Sequence, residues 1–153
     1  MTAYRERLVP GTGTVIASLV LAPLALLVLL PITQVGAVIA AIAVPALAIT
    51  ALIAGAPVIT IADGELHAGR AHIAVALTGA PEAFRGAGAT GARGVELDAR
   101  AWTVVRGWID PVIRIPLTDP DDPAPYWLVS TRHPEALVQA LDEARMAAAS
   151  TLE

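Results

Sequence analysis

Thr14 to Leu30 reads TVIASLVLAPLALLVLL, Val35 to Ala54 reads VGAVIAAIAVPALAITALIA, and the two runs meet through Pro31-Ile-Thr-Gln-Val-Gly36. They lie inside a 55-residue stretch, positions 8 to 62, with no charged side chain; Arg7 is the last charge before it and Asp63 the first after it. A helix rises about 1.5 Å per residue, so about 20 mainly apolar residues cross the hydrocarbon of a bilayer. Each run is long enough for one crossing, and the whole stretch is too long for a single one. A signal peptide would use Arg5 and Arg7 as its basic end, but no small-x-small cleavage site follows Leu30 before the second run begins. A buried core helix would need about a hundred residues of other structure to cover it on all sides. The reading is therefore a hairpin of two transmembrane helices, 13–31 and 35–56, between an N-terminal segment 1–12 and a larger part 57–153.

Composition agrees with that reading. Of 153 residues, 56% are hydrophobic and 16% charged, with a mean hydropathy of +0.65; soluble domains average about 45–50% and about 25%. There is no Cys, Lys or Asn, which removes disulfides, thiolate metal sites and Asn-linked glycosylation and leaves Arg as the only strong cation. Arg5, Arg7 and the terminal amine flank the first span, whereas the 31–36 loop has no basic residue. By the positive-inside rule the N-terminus is cytoplasmic, and two spans return 57–153 to the same side. Pro23 and Pro45 sit near the middle of each span, where a missing N–H and a ring clash are expected to kink the helix. No ionisable group lies inside the spans, so nothing marks a substrate or proton path. The second span is Ala-rich, with small residues at Gly36, Ala40, Ala43 and at Ala37, Ala41; it suits helix packing, and the Leu-rich first span suits lipid.

After Pro57 the period changes to two. Val58–Ile61, Glu65–Ala68, Ala71–Leu77, Val95–Asp98, Trp102–Arg106, Ile109–Leu117 and Tyr126–Thr131 read as seven strands, with Asp63-Gly64 and Gly69-Arg70 as tight turns. Residues 134–148 read as an amphipathic helix, with Pro134 at its start, Glu135 at the dipole's positive end, and Leu137, Val138, Leu141 and Ala144 as its apolar stripe. The expected architecture is a membrane α-hairpin followed by an α+β domain: a bent antiparallel sheet of about seven strands with a C-terminal helix, as in the pleckstrin-homology-like (PH-like) fold.

Chemical motifs are sparse. Gly86-Ala-Gly-Ala-Thr-Gly91 matches G-x-G-x-x-G, but strand-like Val95–Asp98 follows where a dinucleotide site needs a helix, so it reads as a flexible loop. Asp119-Pro-Asp-Asp-Pro123 lacks the Gly and Glu of a calcium loop and reads as a turn. His67, His72 and His133 share no ligand spacing, and Ser130, Thr131 and Ser150 sit in no nucleophile elbow. The expectation is no enzyme, no cofactor and no metal. Eight Arg against thirteen Asp and Glu after position 62 argue against a nucleic-acid surface. Aromatic and cationic groups concentrate late, and Arg106, Trp108, Tyr126, Ser130 and Arg132 form a candidate interaction patch if neighbouring antiparallel strands bring them together.

Three segments carry a resemblance: Tyr4-Arg-Glu-Arg-Leu8; Asp63-Gly-Glu-Leu66 with Ala68-Gly-Arg70; and Asp119 to Leu137, in which Tyr126-Trp-Leu-Val-Ser-Thr-Arg132 is distinctive. In these the chain resembles the small alanine-rich transmembrane proteins of actinobacteria, a domain of unknown function. The resemblance covers nearly the whole chain and implies a bacterial inner membrane, multi-pass, with no established activity, ligand or catalytic residue. The function expected is a membrane-anchored protein-interaction module with the lipid bilayer and a protein as partners. The alternatives are a small subunit of a membrane assembly acting through its hairpin, and a membrane enzyme.

Overall fold

Tyr4-Arg-Glu-Arg-Leu8 alternates in a way its charges conceal. Glu6 and Leu8 are buried and Tyr4 is half-buried, while Ala3, Arg5 and Arg7 are exposed. In the computed structural model, which describes residues 2–150, this period of two makes strand β1 (Thr2–Arg7). The 1–12 segment is thus not only a basic flank. The β1 strand pairs antiparallel with β2 (Val58–Ala62), Arg7 opposite Val58 and Arg5 opposite Thr60, and the Leu8 amide donates to the Pro57 carbonyl at 2.9 Å. The chain therefore forms two compact units, one from its first eight residues together with 57 onward, the other from Val9–Ala56.

The apolar unit contains α1 (Thr12–Leu19), α2 (Leu21–Leu29) and α3 (Gln34–Ala54). Its two candidate spans, Thr12–Leu29 and Gln34–Ala54, have 18 and 21 residues, about 27 and 31 Å of helix. The first breaks at Val20 because Pro23 has no amide to offer the Leu19 carbonyl. Pro45 lies inside α3 without interrupting it. No residue of α1 or α2 is buried. In α3 the buried positions are Ala37, Ala41 and Pro45, spaced by four on the face the other helices pack against. Ser18 and Thr50 donate to the carbonyls four residues back, and Thr33 accepts the Gly36 amide, so these hydroxyls ask nothing of a solvent. Sixteen of the nineteen large apolar side chains exposed among the described residues lie between Val9 and Ile53.

The other unit holds eight strands in two four-stranded sheets, not about seven in one. The first sheet runs β1-β2-β3-β4, with β3 (Glu65–Ala68) and β4 (Ala71–Ala74) joined by the expected tight turns. Asp63 and Gly64 both have positive φ, at 52° and 78°, as a two-residue hairpin of matching twist requires. The second sheet runs β5-β7-β8-β6, from β5 (Glu82–Phe84), β6 (Trp102–Val104), β7 (Val112–Pro116) and β8 (Tyr126–Ser130). It is not wholly antiparallel: β6 runs parallel to β8, with Trp102 opposite Trp127 and Val104 opposite Val129. Val95–Asp98 is a turn, not a strand. Its place beside β7 is taken by β5, a three-residue strand whose pattern is too short to read.

Both sheets share one core with the last helix, α5 (Pro134–Ser150). Leu8, Ile59, Ile61 and Leu66 meet Ile113, Ile115, Trp127 and Val129, with Leu137 and Leu141 against them. The expected inward stripe of that helix is the one observed. Gly86–Arg93, expected as a loop, is a helix (α4) whose Ala89 and Ala92 pack with Val112 and Leu128 on the opposite face of the second sheet. The central strand β8 is therefore covered on both faces.

Because Leu8 and Pro57 are already hydrogen-bonded neighbours, residues 9–56 can be replaced by Asn-Gly, which suits a two-residue hairpin. The shortened chain is expected to be soluble, with one cooperative melting transition. Leu8→Ala in it is expected to cost about 2–5 kcal/mol, checked by chemical denaturation; a smaller loss would show that β1 adds little to the core.

Candidate functional site

The densest polar cluster is built on Glu6, which β1 carries into the domain at 9% exposure. One of its oxygens, Oε2, accepts the Tyr4 hydroxyl at 2.7 Å and the Thr131 hydroxyl at 2.5 Å. The other, Oε1, accepts the Arg132 amide at 2.9 Å. Thr131 is fully buried and its oxygen also accepts the His133 amide at 3.1 Å, at the entry to α5. A buried carboxylate is tolerated only when its lone pairs are filled, and three donors fill these. Burial, more than the carboxylate beside it, pushes the Tyr4 hydroxyl up to about 12. The cluster joins two of the three sequence segments that carried the family resemblance, Tyr4–Leu8 and Asp119–Leu137, which are over a hundred positions apart.

The predicted patch residues occupy two separate ends of β8. At its C-terminal end Ser130 is fully buried, and its oxygen accepts the Arg106 amide at 3.0 Å. Parallel β6–β8 pairing, not the antiparallel pairing expected, brings these two together. Arg106 and Arg132 are half-buried there, and Arg132 is tied by its amide to Glu6. Trp108 packs its ring against the main core. Tyr126 stands at the opposite end, about 13 Å away along a strand. Its hydroxyl accepts the Asp98 amide at 2.7 Å and donates to the Glu96 carbonyl at 3.3 Å. Arg114 lies 5.0 Å from its ring and 4.9 Å from that of Phe84, and bridges to Glu96 at 3.5 Å. Two of the five residues, Ser130 and Tyr126, thus use their hydroxyls to hold neighbouring segments.

The glycine motif follows strand β5 and itself forms the body of α4, contrary to its reading as a loop. Its chemistry is still not that of a phosphate cradle. The Gly86 amide donates to the Asp110 carboxylate at 2.8 Å, so an anion of the protein already occupies the N-terminus of α4. Arg93 closes that arrangement, reaching Asp110 at 3.4 Å and the Ile109 carbonyl at 3.1 Å. The Asp119–Pro123 carboxylates cap their own turns, Asp119 on the Asp121 amide and Asp122 on the Ala124 amide. His67 and His72 are directly opposite on β3 and β4 with their rings stacked at 5.5 Å. The two-residue turn at 69–70 dictates that pairing, which a search for ligand spacing along one strand misses. No group of three or more metal-ligating side chains occurs among the described residues.

Glu6→Ala leaves three donors, the Tyr4 and Thr131 hydroxyls and the Arg132 amide, without their acceptor and is expected to cost about 2–3 kcal/mol; Glu6→Gln, which keeps one acceptor, is expected to cost less. Tyr4 is neutral in the fold and its pKa is raised, so its contribution is intact below about pH 10 and is lost as pH rises through about 12. An ultraviolet tyrosinate titration of Tyr4→Phe should lack that late phase, and the variant's alkaline stability loss should be shallower. An unchanged titration would show that Tyr4 is not the shifted group.

A family model described as a protein of unknown function, DUF3093, matches residues 3–141, from the first strand through the buried part of the last helix. No curated protein and no solved structure matches the chain.

Proposed function

The chain belongs to the DUF3093 family, and from that premise we propose that it is an integral protein of a bacterial inner membrane that works as a membrane-anchored protein-interaction module. One observation carries the reading: β1 and β2, which precede and follow the apolar unit, are hydrogen-bonded in one sheet. Both ends of the hairpin then belong to a single water-soluble fold, so an even number of crossings is the arrangement that keeps that fold whole. The concentration of exposed apolar side chains between Val9 and Ile53 supports lipid as their solvent. Arg5 and Arg7, both exposed on β1, support a cytoplasmic placement by the positive-inside rule.

Two sheets and a C-terminal helix around one core support the PH-like comparison, while the parallel β6–β8 pair and the inserted α4 are departures from it. The module is read as non-catalytic: its polar groups are spent on caps and clasps. Its contact surface is assigned to Arg106 and Arg132, which flank the end of β8. A subunit role through the Ala-rich span is less favoured, because Ala37, Ala41 and Pro45 are already used within the hairpin.

Reporter fusions test the topology. A periplasm-active phosphatase fused at either end is expected to stay inactive, and fused within the 31–33 loop to be active; strong activity at one terminus alone would overturn the two-crossing reading. Arg106→Ala with Arg132→Ala tests the surface. Crosslinking to a protein partner in native membranes is expected to fall while the melting temperature holds, and a parallel fall in both would reduce the pair to scaffold.

A further inference from the structure

Five of the eight arginines after position 62 are matched to carboxylates: Arg85 with Glu135, Arg93 with Asp110, Arg100 with Asp98, Arg114 with Glu96 and Arg145 with Asp142. Arg70, in the β3–β4 turn, is different. It is exposed and makes no ion pair or side-chain hydrogen bond among the described residues. It lies on the rim of a groove of about 450 Å³ that runs between the β3–β4 turn, the start of β6 and the 119–125 loop. His72 and Arg100 share that rim, and Trp102 and Trp127 are on its wall.

The groove's charge opposes that of the domain around it, where acids outnumber bases. Arg100 spends two N–H groups on Asp98, at 3.2 and 2.9 Å, and a guanidinium has five. Asp122 is the one acid among the described residues that line the groove, one of its oxygens accepting the Ala124 amide at 2.8 Å, and the two guanidinium groups outnumber it. Trp102 is 38% exposed, an unusual position for an indole unless something covers it. Two guanidinium groups and an imidazole beside indole faces match an anion with several acceptor oxygens attached to a less polar body. The turn bearing Arg70 is held by the Gly69 amide on the Val58 carbonyl at 3.0 Å, and Val58 follows the end of α3 by only four residues.

We propose that this groove binds a phosphate-bearing anion, with Arg70 and Arg100 clamping its oxygens, His72 donating a further hydrogen bond and Trp102 covering its apolar part. The proposal stands apart from the protein-interaction reading. A phospholipid head group and a free phosphate compound present the same chemistry, and experiment separates them.

The full-length chain is placed in nanodiscs of phosphatidylcholine and, separately, of phosphatidylglycerol, and tryptophan emission is followed while inorganic phosphate is added. A saturable change in phosphatidylcholine discs, weakened about tenfold by Arg70→Gln, assigns a free anion. An emission difference between the two discs that Arg70→Gln abolishes, with no response to added phosphate, assigns a head group. Trp102→Phe is expected to remove the signal in either case. Because Arg70 is exposed, Arg70→Gln is expected to leave the melting temperature unchanged, so a lost signal reports the groove and not the fold. No emission change that depends on Arg70 in either arm, or a signal that survives Trp102→Phe intact, overturns the proposal.

Discussion

A hydrogen-bonded ladder between two strands that the chain separates by a 48-residue apolar unit, Val9–Ala56, is the constraint on which the rest depends. Closing a loop of that length costs entropy that grows only as the logarithm of its length, and a helical hairpin returns its own ends to one another. The ladder is then secured by two devices of different kinds. Leu8 enters the core at 0% exposure, which contributes about 2 kcal/mol from transfer alone. Glu6 adds direction: its two oxygens fit the Thr131 hydroxyl and the Arg132 amide only in one register, since a one-residue slip of β1 would put Arg5 or Arg7 in its place.

The second sheet is organised around β8, which has a strand on each side, α5 below and α4 above. Its five residues run Tyr-Trp-Leu-Val-Ser, and Trp127, Leu128, Val129 and Ser130 are all buried. Neighbouring polar groups are consequently forced into internal pairings. Ser130 receives the Arg106 amide and Tyr126 caps the 96–98 turn, while Arg100 holds the Asp98 carboxyl down to about 2 by hydrogen bonding. Polar side chains that look available in a sequence are here the fastenings of short, irregular segments.

What was legible in the sequence followed physical simplicity. The two apolar runs, the Asp63-Gly64 turn, the alternation of Ile113 and Ile115 against Val112 and Arg114, and the stripe of α5 each rest on a local pattern with one strong interpretation. Three things were not legible for identifiable reasons. Glu6 disguised β1, because a charged residue at an inward position breaks the apolar alternation unless its partners, 125 residues away, are known. Gly86–Arg93 has three glycines in eight residues, and its helicity comes from Ala89 and Ala92 packing on Leu128 and from Asp110 at its N-terminus, which are tertiary effects. The parallel β6–β8 pair could not be foreseen from pattern, since alternation is blind to strand direction. The candidate patch is divided for that same reason: Tyr126 begins β8, whereas Arg106, just past β6, is held beside Ser130 at its other end. The pairing of His67 with His72 was by contrast within reach, given the turn between them.

The position of β1 also bears on biosynthesis. This strand leaves the ribosome ahead of both apolar helices, and its partner β2 is made only after them. During that interval Glu6 and Leu8 have no binding surface, and β1 waits as an unpaired edge. In a chain delivered to a membrane, the sheet can close only if β1 and β2 lie on the same side of it. A chain threaded with a single crossing would leave β1 and β2 on opposite sides, with the Thr131 hydroxyl lacking its acceptor and the core open at Leu8. For a chain whose hairpin crosses a membrane, an even number of crossings is thus a condition for completing the domain as well as for its topology.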